Sequence, residues 1–284
     1  MFDSNELRFR IVRALPRPVR VPVNGAWIEL RRWLRLQRAD VCFVSYPKAG
    51  RTWLRMLLGS VLQGHFGVRA DSPMELESFA DLDARIPRIF VTHDGVRFRS
   101  TPDELGRSKK KYAKKRVILL VRDPRDIVVS RYFHAAKRGA APYQHSISRF
   151  MRGRRGGYAT ILEFHRIWAA QLSVPRQLLL VRYEDMIDDP ARELRRVLEF
   201  LELDRVPPEL VAAAVAAGSF NAMRQLEERD AFNSVRLRPI DSRDPDSFKV
   251  RRGKVGGYRD YMDELDLRFL DSQLAAADLR GFGY

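Results

Sequence analysis

The stretch Val41–Arg55, VCFVSYPKAGRTWLR, decides the fold class of this chain. It starts as a short apolar run, passes through a turn that contains Pro47, Lys48 and Gly50, and continues with apolar residues at helical spacing. This order predicts a strand, a loop and a helix, and the N-terminus of such a helix favours an anion. The loop is therefore a candidate cradle for phosphate or sulfate. Its lysine precedes a single glycine, which differs from the Walker A spacing.

The same alternation of strand and helix patterns continues along the chain. Strand patterns occur at 41–45, 88–92, 117–121 and 177–182, and helical patterns occur near 51–65, 124–137, 157–171 and 190–201. This alternation predicts an α/β fold with a mainly parallel, doubly wound sheet flanked by helices. Ligands of such sheets bind at the carboxyl ends of the strands. We expect a single globular domain over 41–284.

Composition limits the class of protein further. The 284 residues include 52 basic and 36 acidic side chains, a net charge of +16, and 43 of the basic residues are arginine. Such a charge attracts nucleic acid, anionic membranes or anionic small molecules, or it reflects a composition biased toward arginine. The one cysteine, Cys42, lies in the first predicted strand, where we expect a buried, unreactive thiol. No apolar run is long enough to span a bilayer, so we expect a cytoplasmic protein.

The first 40 residues form a basic extension. Residues 1–25 are predicted to be irregular because Pro16, Pro18 and Pro22 interrupt them. From 26 to 38, tryptophans and leucines at helical spacing lie opposite arginines, which predicts an amphipathic helix. This helix either packs on the domain or makes a peripheral contact with the inner face of the membrane.

A second candidate anion site follows the strand 117–121. The strand ends at Arg122, and Asp123 is placed to cap a helix whose first residue is Pro124. Arg122 either binds a phosphate or pairs with Asp126, and Ser130 lies two turns into the helix, where its hydroxyl can face the same crevice.

Further candidates lie in three other segments. His93 directly follows strand 88–92, so it is either a general base at the sheet edge or a structural histidine. The loop 251–257, RRGKVGG, either gathers cations and backbone amides around an anion or is a solvated turn. The lysine-rich run 109–116 is predicted either to be a solvated rim or to steer an anionic ligand, and 137–157 is predicted to be a flexible basic segment.

Five motifs together resemble the sulfotransferases that use 3′-phosphoadenylyl sulfate (PAPS), of the cytosolic type and its bacterial relatives. In chain order they are Tyr46–Trp53, Arg122–Ser130, Tyr183–Met186, Ser219–Met223 and Arg251–Gly256. The resemblance runs from about residue 40 to 262. Ala49 and Arg51 replace the common serine and threonine of the first loop, Asp123 replaces an asparagine, and Gly257–Tyr258 replaces an acid–tryptophan pair. These departures suggest a bacterial-type member.

The resemblance implies a three-layer architecture like that of P-loop NTPases, and PAPS as the donor co-substrate without a metal. It implies that the donor is bound by Lys48, Ala49, Gly50, Arg51, Thr52, Trp53, Arg122, Ser130, Tyr183, Ser219, Phe220, Arg251, Arg252 and Gly253. Lys48, His93 and Ser130 are implied as catalytic, with His93 as general base and Lys48 stabilising the leaving phosphate oxygen during in-line transfer.

The acceptor is the least specified part of the prediction. We expect a hydroxyl or an amine on a small-molecule, carbohydrate or lipid-like compound, and no nucleic acid. Its walls are expected from residues 66–87, 94–108, 137–157 and 229–250. Two alternatives stay open: a nucleotide-dependent kinase on the same fold, and a non-enzymatic basic protein that binds nucleic acid or membranes.

Overall fold

The centre of the protein is a four-stranded parallel sheet. The structure, a computed structural model, describes residues 17–138, 142–232 and 241–284, with side chains from residue 25 onward. The strands are β1 (Val41–Ser45), β2 (Ile89–Thr92), β3 (Arg116–Val121) and β4 (Gln177–Arg182), in the order β2-β1-β3-β4. All three strand pairings are parallel, which confirms the predicted sheet and places the carboxyl ends of the strands at one edge.

The central strands form the core. Every residue of β1 and β3 is buried, as expected for strands covered on both faces. Cys42 in β1 is fully buried, which confirms its predicted burial, and this burial raises the pKa of its thiol to about 12. The predicted bounds of β1 and β4 agree with the structure, and those of β2 and β3 differ by one residue.

One helix precedes β1 in the chain, and the helices after β1 alternate with the strands and flank the sheet. The first is α1 (Arg17–Arg38), and those that follow are α2 (Arg51–Phe66), α3 (Phe79–Leu82), α4 (Pro124–Lys137), α5 (Ile147–Arg152), α6 (Tyr158–Ala169), α7 (Tyr183–Asp188), α8 (Pro190–Phe200), α9 (Pro208–Ala217), α10 (Phe220–Glu228) and α11 (Glu264–Ala277). The four predicted helical patterns correspond to α2, α4, α6 and α8. None of the helices in the described ranges is long and apolar enough to cross a bilayer.

Three local predictions were wrong. Helix α1 begins at Arg17 rather than after residue 25. Pro18 lies in its first turn, where a proline removes no intrahelical hydrogen bond, and the helix continues through Pro22, which lies beyond that turn and does remove one. The rest of the predicted irregular segment, 1–16, lies outside the described residues. The segment 137–157 contains helix α5, whose N-terminus is capped by the Ser146 side chain accepting from the Arg149 N–H.

The run 109–116 is not simply a solvated rim. Lys109, Tyr112 and Arg116 are buried, and the Lys109 ammonium donates to the buried carboxylate of Asp94 at 2.5 Å. Tyr112 donates to the same carboxylate at 2.9 Å. Because Asp94 follows His93, these bonds fix the chain at the end of β2.

The chain divides into two units, Met1–Ala39 and Asp40–Tyr284. In the first unit, α1 exposes an apolar set of side chains: Trp27, Ile28, Leu30, Trp33 and Leu34. Its last turn carries Arg35 and Arg38, and its first turn carries no acidic residue. The predicted amphipathic character of 26–38 is present in this helix.

Candidate active site

The loop after β1 has a backbone that few residues can adopt. Lys48 and Gly50 both have positive φ, 77° and 99°, so the chain curls before α2 begins at Arg51. No side chain caps this helix, which is the arrangement in which a helix N-terminus binds an anion. A Cβ atom at position 50 would lie 2.4 Å from Cδ2 of Tyr183, so glycine is required both by conformation and by space.

An aromatic wall stands beside this loop. The rings of Trp53 and Tyr183 meet edge to face, with their centroids 5.8 Å apart. The Trp53 indole donates to the carbonyl of Gly218 at 2.8 Å, which fixes its orientation. Phe220, at the start of α10, lies against Gly253, where a Cβ atom would be 2.8 Å from its ring. Aromatic faces of this kind suit a flat base.

Arg122 lies at the carboxyl end of β3, as predicted. Its guanidinium is 4.1 Å from the centroid of the Tyr183 ring and 3.5 Å from the Asp126 carboxylate. Arg122 also lines the cavity, so the same side chain pairs with Asp126 and faces the space where a ligand would bind. Its Nε atom is buried and has no hydrogen-bond partner, which leaves one donor for a bound anion. Ser130 lines the same cavity from α4, which starts at Pro124 with Asp123 as its cap.

The C-terminal loop is attached to this edge by one carboxylate. Asp126 accepts from the backbone N–H groups of Gly256 and Tyr258, both at 3.0 Å. The attachment holds Arg251, Arg252 and Gly253 along the cavity. Short sequence patterns indicate Asp126 only as a partner for Arg122 and do not indicate this attachment, because the bonded residues are separated by 130 and 132 positions.

His93 is held in one tautomer and is neutral. Its Nδ1 donates to the Ser45 carbonyl at 2.8 Å, and its Nε2 lies 2.7 Å from the Arg51 guanidinium, which carries only donors. Burial, and after it the charge of Arg51, lowers the pKa of His93 well below its usual value of 6.5. The imidazole therefore presents an unprotonated Nε2 at neutral pH, as a general base requires.

These parts enclose one cavity of about 480 Å³. Of the predicted site residues, the cavity is lined by Lys48, Gly50, Arg51, Thr52, Trp53, His93, Arg122, Ser130, Tyr183, Phe220, Arg251, Arg252 and Gly253. Two predicted residues do not line it. Ala49 is fully buried and its N–H bonds the Tyr46 carbonyl, and Ser219 caps α10 by accepting from the Ala222 N–H.

Four charged or titratable residues near the His93 end were not among the predicted site residues. His134, Arg138 and Lys249 line the cavity, and the buried carboxylate of Glu227 lies behind them. Burial, followed by the charge of Lys48, lowers the pKa of His134 to about 3. Burial, followed by Arg138 and Arg51, lowers the pKa of Lys249 to about 7. The sequence indicated Arg138 and Lys249 in one way only, through the expectation that the segments 137–157 and 229–250 form walls of the acceptor site.

Two apolar side chains complete this end of the cavity. Val96 and Phe98 lie on the loop after β2. The fully buried Arg131 supports Phe98, with its guanidinium 4.2 Å from the ring centroid and its Nε donating to the Gly156 carbonyl at 3.1 Å.

Of the four predicted acceptor segments, 94–108, 137–157 and 229–250 reach the cavity, and 66–87 does not. Among the described residues, no group of three or more His, Cys, Asp or Glu side chains could hold a metal ion.

Comparison with known proteins agrees with this geometry. The family model described as sulfotransferase domain matches residues 38–278. This chain belongs to the sulfotransferase family. The family assignment made from the five motifs is confirmed, and with it the class of enzyme.

Individual members of the family are distant relatives of this sulfotransferase. Cytosolic sulfotransferase 12 of Arabidopsis thaliana is 27% identical over 262 residues, which cover 80% of this chain and 73% of that protein. The 3-beta-hydroxysteroid sulfotransferase of Cavia porcellus is 26% identical over 258 residues, 85% of each chain. The crystal structure of mouse sulfotransferase SULT7A1 complexed with PAP matches with a TM-score of 0.58 and 24% identity, covering 86% of this chain and 85% of that one. This likeness confirms the fold.

Proposed function

We propose that this sulfotransferase transfers a sulfuryl group from PAPS to a hydroxyl or amine of a small acceptor. The observation that carries the proposal is the single cavity in which the loop after β1, the end of β3 and the C-terminal loop present cations on both sides of an aromatic wall. A donor with phosphate groups at both ends of a nucleoside fits this arrangement. The complex of the mouse relative with PAP, the desulfated donor, supports it.

The residues present fit the donor. Its 5′-phosphosulfate would lie on the curled loop 48–52, where Lys48 supplies an ammonium and α2 its N-terminus. Its 3′-phosphate would bind Arg122, whose buried Nε has no hydrogen-bond partner, together with Ser130 and the loop 251–253. The adenine would lie against Trp53, Tyr183 and Phe220. Ala49 and Ser219 contribute by shaping the loop and capping α10.

His93 and Lys48 would perform the chemistry. The acceptor oxygen or nitrogen attacks the sulfur, the bond from sulfur to the bridging oxygen of the donor breaks, and PAP leaves. His93 Nε2 takes the proton of the acceptor, and the Nδ1 bond to Ser45 stabilises the imidazolium. Lys48 stabilises the negative charge on the departing phosphate oxygen. Arg51 must turn away from Nε2 before the acceptor can bind there.

The remaining parts of the prediction are also proposals. We take 41–284 as the catalytic domain, and the small hydroxylated compounds named for relatives, such as a hydroxysteroid, as the acceptor class. We also infer a cytoplasmic location, which a relative that is named cytosolic supports.

A thermal-shift titration tests the donor assignment. PAP, AMP and ATP–Mg²⁺ are compared at equal concentration, since a one-site ligand at 100 times its Kd stabilises by about 2.7 kcal/mol. We expect a much larger shift in Tm with PAP than with AMP. A larger response to ATP–Mg²⁺ would instead favour a kinase, and salt-sensitive binding to any polyanion without affinity for PAP would favour a nucleic-acid or membrane-binding protein.

Turnover of two variants tests the catalytic assignment. Lys48→Ala and His93→Ala should each lower kcat by at least about 10²-fold, because each removes a group that acts in the transition state. Circular dichroism and Tm serve as controls for folding. Wild-type turnover in both variants would overturn the mechanism.

A further inference from the structure

His93 lies at the start of a tight turn that follows β2. The His93 carbonyl accepts from the Val96 N–H at 3.0 Å. The two residues between them, Asp94 and Gly95, have φ of 55° and 84°, and positive φ at both central positions is the pattern of a type I′ turn. The Asp94 N–H also donates to the Thr92 hydroxyl at 2.9 Å. The backbone of the proposed base therefore depends on the conformation of Asp94.

Three donors converge on the Asp94 side chain. The ammonium groups of Lys109 and Lys111 lie 2.5 and 2.6 Å from its carboxylate, and the Tyr112 hydroxyl donates to it at 2.9 Å. The carboxylate is 1% exposed and the Lys109 side chain 3%. Burial lowers the pKa of Lys109 and Asp94 opposes that shift, but the nitrogen donates to the carboxylate as an ammonium or as an amine. A buried polar network that is satisfied in this way is rigid.

The place of this network in the chain sets it apart from other buried ion pairs. A buried ion pair is by itself weak evidence for a stabilising role. Asp94, however, directly follows the proposed base, and Val96 of the same turn lines the cavity. Asp266 on α11 offers a comparison, because its buried carboxylate also accepts from a hydroxyl and a cation, Ser148 at 2.8 Å and Arg152 at 2.5 Å. Neither neighbour of Asp266 in the chain lines the cavity.

The ring of His93 is held by a different contact. Its Nδ1 donates to the Ser45 carbonyl at the end of β1, at 2.8 Å. This bond persists only while the backbone of His93 stays in place, because the ring and the carbonyl belong to different strand ends. A displacement of about 1 Å in a reacting group can cost about 10²-fold in rate. Ser45 therefore orients the ring, and Asp94 fixes the backbone that carries it.

We propose that Asp94 is a positioning residue for His93, and that Lys109 and Tyr112 hold Asp94 in this role. The inference rests on the proposed function and adds residues that act on the transfer step through the base. Asp94, Lys109 and Tyr112 do not line the cavity. Loss of the Asp94 carboxylate should therefore lower kcat and leave the affinity for PAP unchanged.

Asp94→Asn tests the proposal, because asparagine also tolerates a positive φ while one carboxylate oxygen becomes an amide. Asp266→Asn is the matched control. The first measurement is the exchange with water of the His93 Nδ1 proton, observed by NMR and assigned by its absence in His93→Ala. His165 gives an internal reference in the same spectra, since its Nδ1 donates to the Ile161 carbonyl at 2.7 Å. The second measurement is kcat for sulfation of 4-nitrophenol, with the Kd for PAP from calorimetry.

In Asp94→Asn, the Nδ1 proton of His93 should exchange at least about tenfold faster, and that of His165 should not change. The value of kcat should fall by about 10–100-fold, while the Kd for PAP changes by less than about threefold. Asp266→Asn should lower Tm without changing kcat or the exchange at His93. Unchanged exchange at His93 in Asp94→Asn, or equal acceleration at His93 and His165, would contradict the proposal.

A second variant decides the question if Asp94→Asn does not fold. Lys109→Met leaves the Asp94 carboxylate with Lys111 and Tyr112, so no buried charge is left without a partner. Exchange at His93 should again be faster and kcat should fall by about 3–10-fold, as expected for the loss of one hydrogen bond. Wild-type values of both would overturn the proposal. Failure of the wild type to bind PAP would contradict the proposed function instead, and the exchange measurement, which needs no substrate, would still decide the role of Asp94.

Discussion

At the scale of single residues, the contact between Arg51 and His93 bears most directly on the proposed chemistry. The guanidinium of Arg51 lies 2.7 Å from His93 Nε2, the nitrogen that the proposed mechanism uses as a base. Relatives with a hydroxyl residue at this position would lack that cation. Arg51 therefore both lowers the pKa of His93 and covers its lone pair until the substrates enter.

Arg51→Ser should change the pH dependence of the enzyme. The base acts only when unprotonated, so a lowered pKa moves the acid limb of kcat/KM below pH 6.5 in the wild type. Removing the guanidinium raises the pKa of His93, and the acid limb should move upward toward pH 6.5. Arg99→Ser, which removes an exposed cation elsewhere, is the control. Coincident acid limbs in Arg51→Ser and wild type would show that Arg51 does not control this histidine.

Gly50→Ala should damage both stability and donor binding. The new Cβ atom combines a φ of 99° with a distance of 2.4 Å to the Tyr183 ring, so the ring must move. Gly67→Ala is a matched control, because its φ of 65° is also left-handed but a Cβ there meets nothing within 4 Å. The control should lose about 1–2 kcal/mol of unfolding free energy from backbone strain alone. Gly50→Ala should lose more and should also weaken PAP binding, as measured by denaturant unfolding and calorimetry.

At the scale of elements, the C-terminal loop depends on α4 for its position. Asp126→Asn replaces one of the two oxygens that accept from Gly256 and Tyr258 by a donor. We expect PAP affinity to fall by about 10–150-fold, since a buried charge-assisted hydrogen bond contributes about 1.5–3 kcal/mol. Asp260→Asn, which weakens only exposed pairs with Arg252 and Lys254, should have a smaller effect. Equal effects of the two substitutions would contradict the role of Asp126.

Helix α1 presents a separate question, whether its exposed apolar face contacts a membrane. Trp27 and Trp33 are 38% and 55% exposed, and arginines follow in the last turn. We expect the full chain to sediment with vesicles that contain anionic lipid, and Trp27→Ala/Trp33→Ala to bind about tenfold more weakly. Leu265→Ala removes an exposed leucine on α11 and serves as the control. Equal binding of wild type and the double variant would leave no membrane role for this face.

At the scale of the whole molecule, the sequence was sufficient for the parts that are set locally. The strand bounds to within one residue, the cap at Asp123 and the starts of α2, α4, α6 and α8 follow from short patterns, because apolar periodicity and capping depend on neighbouring residues. The residues that line the donor side also follow from motifs. Ala49 and Ser219 lie in those motifs but do not line the cavity, because a motif does not specify which way each side chain faces.

Other parts of the site could not be predicted from short patterns. Glu227 accepts from Lys249 and Arg138, which are 22 and 89 residues away, and Asp126 accepts from Gly256. These contacts depend on where the sheet brings distant loops together, and no local spacing encodes them. The burial of Lys109 was missed for the same reason, because its partner Asp94 is 15 residues earlier in the chain.

The attachment of the C-terminal loop to Asp126 also has a consequence for biosynthesis. A ribosome releases the N-terminal parts of the chain first, so the loop after β1 and the end of β3 emerge well before Gly256 and Tyr258. The proposed donor site is then incomplete until Tyr258 has been translated. A chain that ends before this loop would gain little protection from the donor, whereas a chain that includes it would be stabilised by the donor. The cellular supply of the donor would thereby favour the survival of chains that contain this loop over shorter fragments.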